Sequence, residues 1–165
     1  MFTTIAGLPL HPLVVHATEV VVPTAALVIA LAALWPLFRR WAGFLPFGLG
    51  LAALVLVPIS TQSGEALQER VKDSSLISTH ADLAEGLLPW ILVLFVVSGV
   101  LLWWNRAGGN GQAPRAPKWV AIVLAVTAVL AAAGTTGQAV LIGHSGATAV
   151  WSQTAAGTTA PGATK

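Results

Sequence analysis

Residues 87–104 read LLPWILVLFVVSGVLLWW, without one ionisable side chain, and lie between Glu85 and Arg106. About 20 apolar residues rising 1.5 Å each cross the ~30 Å hydrocarbon layer of a bilayer, so this run is the core of a transmembrane helix. The polar approach to it, residues 78–85, resembles a helix start with Ser78 or Thr79 near the cap. After Arg106, the glycines 108, 109 and 111 and two prolines punctuate residues 107–117 as a loop.

Three further apolar runs surround this one. No Lys or Arg precedes residues 13–38, which therefore lack the basic start of a cleaved signal peptide and read as a retained span. Pro12 suits the first helical position, Pro23 should kink the helix, and Arg39 and Arg40 should stop it. Residues 44–60 barely suffice to cross, so helix is expected to continue over 61–71 into the outer water layer. Lys118 and Trp119 open the last run, in which Ala131, Ala132, Ala133, Gly134 and Gly137 offer a surface small enough for close helix approach. Gly146 is the expected stop. The sequence thus predicts an all-α, four-helix transmembrane bundle with helices over 12–38, 43–71, 79–104 and 118–145. They form one domain over residues 1–151, with a disordered tail over 152–165 and no evident internal repeat.

Composition agrees with lipid as the main solvent. The chain is 56% hydrophobic and 8% charged, whereas soluble domains carry about 25% charged residues. Absence of cysteine excludes disulfides, thiolate-held iron–sulfur clusters and covalently attached c-type haem. A net charge of +2 without a basic stripe argues against nucleic acid. Arg39, Arg40, Arg106, Arg115 and Lys118 fall in two short loops on one side, against Arg70, Lys72 and Lys165 on the other. The excess of bases marks the cytoplasmic side, so both termini are expected outside. Trp35, Trp41, Trp103, Trp104 and Trp119 form an aromatic belt on the cytoplasmic side, with Trp90 and Trp151 toward the other interface.

Counting from the cytoplasmic stops gives each side chain an approximate depth. Glu19, Glu65, Glu85 and Gln138 fall near the outer hydrocarbon boundary, one per helix. One to two turns further out come His16, Glu69, His80 and His144, again one per helix. All six acids and all four histidines lie on this outer side. Solvation of outer loops accounts for Asp73, Asp82, Arg70 and Lys72. It accounts poorly for Glu19, which is expected to point into the bundle. His11 has a sufficient structural role beside Pro12 at the helix entry and is the weakest ligand candidate. His16, His80 and His144, at one level on three helices, are what a metal or haem site requires.

A bare transition-metal ion would combine imidazoles with carboxylates: His16 and Glu19 share a helical face, as do Glu65 and Glu69, with His80 and His144 completing the set. Haem b would instead need two histidines from different helices and a flat, small-residue surface. Gly137, one heptad below His144, fits that need or simple helix packing. Spacing alone leaves both open.

The stretch Gly7-Leu-Pro-Leu-His11-Pro12-Leu-Val-Val-His16 resembles the opening signature of the DUF2231 family of small bacterial membrane proteins. Thr136-Gly137-Gln-Ala-Val-Leu-Ile-Gly143-His144-Ser-Gly146 is similar to its closing pattern, and His80 falls where the family has a His opening its third helix. The resemblance covers residues 7–151 and implies a four-span domain of the bacterial cytoplasmic membrane, of unknown function, sometimes joined to Rieske-type redox domains. Two departures stand out: Ser63-Gly64-Glu65 replaces the acid often found after the second helix's Gly, and Ser145 intervenes in the closing His-Gly element. The resemblance carries over His11, His16, His80 and His144; the carboxylates rest on spacing.

These readings favour a cofactor-binding subunit over an independent enzyme. It would hold haem b or a metal ion and serve a redox partner or respiratory complex. The rival is a non-catalytic assembly subunit whose polar cluster is a structural network. A proton- or ion-linked transporter ranks third, because the spans offer only Thr127, Thr135 and Thr136 near the midplane. Ser145 beside His144 does not make a hydrolase, since helix neighbours do not aim at each other.

Overall fold

The computed structural model describes residues 4–5, 8–69, 74–107 and 117–157, with side chains from residue 11 to 151 among them. Arg70, Lys72, Asp73, Arg115, most of the glycine-rich loop and residues 158–165, for which expectations were stated above, lie outside the described residues. A two-residue strand β1 (Thr4–Ile5) pairs antiparallel with β2 (Leu8–Pro9) ahead of the first helix. Helices follow: α1 (Leu10–Leu34), α2 (Pro36–Ala42), α3 (Leu45–Gln68), α4 (Ser75–Glu85), α5 (Leu87–Ala107) and α6 (Lys118–Gly157). Four segments are long and apolar enough to cross a membrane: His11–Leu34, Leu45–Gln68, Ser75–Ala107 and Lys118–Trp151.

Packing partners define a square. α1 packs chiefly on α3 and α6, and α5 packs chiefly on α3 and α6, so α1 stands diagonal to α5. The core follows from helical periodicity. Val22, Ala25, Ala26, Ile29 and Ala32 form the buried stripe of α1, facing Ala53 and Val57 of α3, Ile91, Leu94, Val97 and Leu101 of α5, and Ala128 and Ala131 of α6. Alanine recurs because lipid supplies no hydrophobic drive between spans, and close contact is what holds them. Gly134 shows this most directly. A Cβ there would stand 2.6 Å from the Trp90 ring, so the indole packs on bare backbone.

Several expected boundaries are corrected. Arg39 and Arg40 do not end the first helix: it stops at Leu34, and both arginines ride on the separate helix α2. Pro36 is the cause, because the ring of a proline disfavours helical backbone in the preceding residue. Trp35 is extended accordingly, at φ −124° and ψ 98°. Gly43, at φ +55°, turns the chain into α3, a conformation that glycine adopts without penalty. In the third span the cap is Ser74, whose hydroxyl accepts from the Ile77 N–H at 3.4 Å. Ser78 and Thr79 lie inside α4 and donate back to the Ser75 carbonyl. Gly146 does not stop the last helix, which runs on to Gly157 and makes 152–157 helical instead of tail. Once a helix is nucleated, each added residue costs little, and a glycine inside it is tolerated where packing requires one.

Candidate histidine site

The four histidines are all carried at one end of the spans, but they are not equivalent. His11 enters the structure in the first turn of α1, half-buried, with its Nδ1–H donating to the Ser60 carbonyl at 3.2 Å and to Ser63 Oγ at 3.1 Å. Its ring lies over Gly64 of α3, where an added Cβ would be 3.0 Å from Cε1. His80 of α4, also half-buried, donates from Nδ1 to Ser145 Oγ at 2.9 Å and lies over Gly146 of α6, 3.1 Å from an added Cβ. Each imidazole therefore fills the notch of a glycine and is pinned by the serine just before it. The same His to Ser-Gly device occurs twice, from α1 onto α3 and from α4 onto α6, a repetition that the residue pattern did not reveal.

The serine geometry assigns the ring protons. Ser63 spends its own proton on the Ser60 carbonyl at 2.9 Å, and Ser145 spends its proton on the Ile142 carbonyl at 2.9 Å. Each hydroxyl oxygen is left as an acceptor, so Nδ1 of each histidine is the donor, and neither Nε2 has a hydrogen-bond partner among the described residues. An Nδ1–H held by a carbonyl or hydroxyl is the outer support that orients a metal-ligating imidazole. The same bond pattern argues against Ser145 as a nucleophile, because its proton points at a backbone carbonyl and not at a base.

The remaining sequence candidates stand apart from this pair. His16 is exposed and donates from Nδ1 to the Pro12 carbonyl, one turn back on its own helix, at 2.6 Å. His144 is exposed on α6, beside the serine that receives His80. Glu19 is exposed, contrary to its expected inward direction, because Thr18 and Val22 take the buried positions on that part of α1. Glu65, Glu69 and Glu85 are exposed as well. Gln138 turns inward and donates to the Leu83 carbonyl at 2.6 Å, across the Gly86 joint between α4 and α5, where a helix end leaves carbonyls in need of a donor. Gly137 meets nothing within 4 Å, so it serves no close packing among the described residues. Among the described residues no three of His, Cys, Asp and Glu converge as a metal-binding group.

The family model of DUF2231, described as a predicted membrane protein, matches residues 7–159. The chain belongs to the DUF2231 family. It is an integral membrane protein, as the four spans and the family description agree. No curated protein and no solved structure matches it. In this DUF2231 chain, Ser63-Gly64 and Ser145-Gly146 are the places where the two half-buried imidazoles dock. Ser-Gly occurs at Ser63-Gly64, Ser98-Gly99 and Ser145-Gly146, so the dipeptide alone could not single out the two that receive His11 and His80.

Proposed function

We propose that this DUF2231 protein is a redox subunit of a bacterial cytoplasmic membrane that holds haem b through His11 and His80. The observation that supports this reading is the pair of imidazoles from different helices, each fixed by an Nδ1–H bond and each without a partner at Nε2 among the described residues. The donor set suits a haem better than a bare ion. A porphyrin would bring four nitrogens of its own, so the protein would need to add only one or two imidazoles, here His11 and His80, whereas a bare ion asks the protein for three or four donors. No such larger group converges among the described residues. When bound, haem b would supply reversible one-electron transfer. The chain's own contribution is to hold both imidazoles in place, through serines whose protons are already committed. The excess of bases at Arg39, Arg40, Arg106, Arg115 and Lys118 supports a histidine end outside the cytoplasm, where a redox partner would meet it.

Haem content per protein, measured on detergent-purified variants, tests the ligand assignment. His11→Ala and His80→Ala should each lose haem while still inserting in the membrane, and His16→Ala and His144→Ala should keep it. Loss confined to His16→Ala or His144→Ala would move the site to the exposed histidines. The alternative of a non-catalytic assembly subunit draws on one observation: His11 and His80 already lock α1 to α3 and α4 to α6. On that reading every variant is equally free of haem, and only stability changes.

A further inference from the structure

At the end of the bundle opposite the histidines, Arg39, Arg40 and Arg106 face an accounting problem of charge. The sequence has no Asp or Glu between residues 20 and 64 and none after residue 85. Glu19 is twenty residues from Arg39 along the chain, roughly 30 Å at helical rise. Among the described residues no carboxylate lies at this end of the bundle to neutralise these guanidinium groups, which leaves them open to an anion from outside the chain.

Arg39 is the most constrained of the three. Its guanidinium stands over the Trp104 ring, 5.8 Å from the centroid, and Nη1 donates to the Ala32 carbonyl at a long 3.5 Å. Its Nε is buried and has no hydrogen-bond partner among the described residues. Burial, and next the like charge of Arg40, hold its pKa below that of a free guanidinium, as expected for a cation short of its anion. Arg40 is exposed beside it, and Arg106 lies over the Phe44 ring at 6.0 Å.

The surroundings indicate which anion. Trp35, Leu37 and Trp41 of α2 and its approach are exposed, as are Phe44, Leu45 and Trp103. Indoles and cations on one short helix at the end of a span belong at the headgroup level, where rings enter the acyl boundary and cations meet phosphate. A freely dissolved anion would not call for that apolar rim. We propose that Arg39 and Arg40, with Arg106 at the edge, bind the phosphate of an anionic phospholipid seated against α2. Guanidinium suits this role because its planar fork pairs with phosphate oxygens and its face still stacks on Trp104.

Native mass spectrometry of the full chain, with phosphatidylglycerol and phosphatidylcholine as probes, tests the site. The wild type should retain phosphatidylglycerol at activation energies that strip phosphatidylcholine, a preference of about tenfold or more in bound fraction. Arg39→Gln should abolish the preference, Arg40→Gln should reduce it several-fold, and Lys118→Gln should leave it intact. Should Arg39→Gln fail to fold, Arg40→Gln, at an exposed position, still decides. Equal retention of both lipids by the wild type would overturn the proposal, as would an unchanged preference in Arg40→Gln. Displacement of the lipid by millimolar inorganic phosphate would overturn it too, as the mark of a site for free anions.

Discussion

His80 lies against Gly146, its Cε1 3.1 Å from where a Cβ would stand, and its Nδ1 is 2.9 Å from the hydroxyl of the neighbouring Ser145. The contact joins α4 to α6, and His11 repeats it on Ser63 and Gly64 of α3. A glycine inside a helix costs about 1 kcal/mol relative to alanine. Here it admits an imidazole to the helix backbone and puts a hydroxyl acceptor beside the ring.

Filling either notch should expel the ring. Gly146→Val is expected to destabilise the protein by about 1–3 kcal/mol through overpacking and to lower haem retention along with His80→Ala. Thermal unfolding in detergent and haem content on the same samples check both. Normal stability with full haem would mean that the ring does not depend on the notch.

The two serines should differ, although their roles look alike. Ser145 accepts the His80 Nδ1–H bond, so Ser145→Ala strands a half-buried donor and should cost about 1–3 kcal/mol. Ser63→Ala leaves His11 its bond to the Ser60 carbonyl at 3.2 Å and should cost less than about 1 kcal/mol. Equal losses in melting measurements would contradict the bonding scheme.

In the core, the Thr135 hydroxyl is fully buried and lacks a hydrogen-bond partner among the described residues. Thr135→Val removes that orphan at nearly constant volume, so the variant should be more stable by about 1 kcal/mol. A destabilised variant would show that the hydroxyl has a partner, such as a buried water.

Two glycines on α6 make a contrasting pair. Gly134→Ala places a methyl group 2.6 Å from the Trp90 ring and should disrupt the α5–α6 contact, whereas Gly137→Ala meets nothing within 4 Å and should be neutral or slightly stabilising. Melting temperatures of the two variants, run side by side, check this order.

Much of the bundle was legible because lipid imposes a simple rule: backbone must satisfy itself, so long apolar runs become helices. The spans followed from that rule alone. Their ends did not, because local chemistry sets them. Pro36 broke the first helix ahead of the arginines expected to stop it, and Ser74 capped α4 several residues before the expected start. The histidine end was legible as a level along the helix axes, since depth follows from counting. Rotation about those axes is finer: at 100° per residue, a small error turns a side chain from the bundle to the lipid. Glu19 and His11 show both sides of that error. Glu19 was expected inside and is exposed, while His11, the weakest ligand candidate, is half-buried against α3. The pairing of each histidine with a serine 52 or 65 residues away is a tertiary fact that no local spacing encodes.

The paired-imidazole account is tested most directly by the absorption spectrum of detergent-purified full-length protein, recorded oxidised and after dithionite. The account predicts a Soret band with sharpened α and β bands on reduction, at one haem per chain. A folded protein without visible absorption would contradict it and leave His11 and His80 as locks between helices.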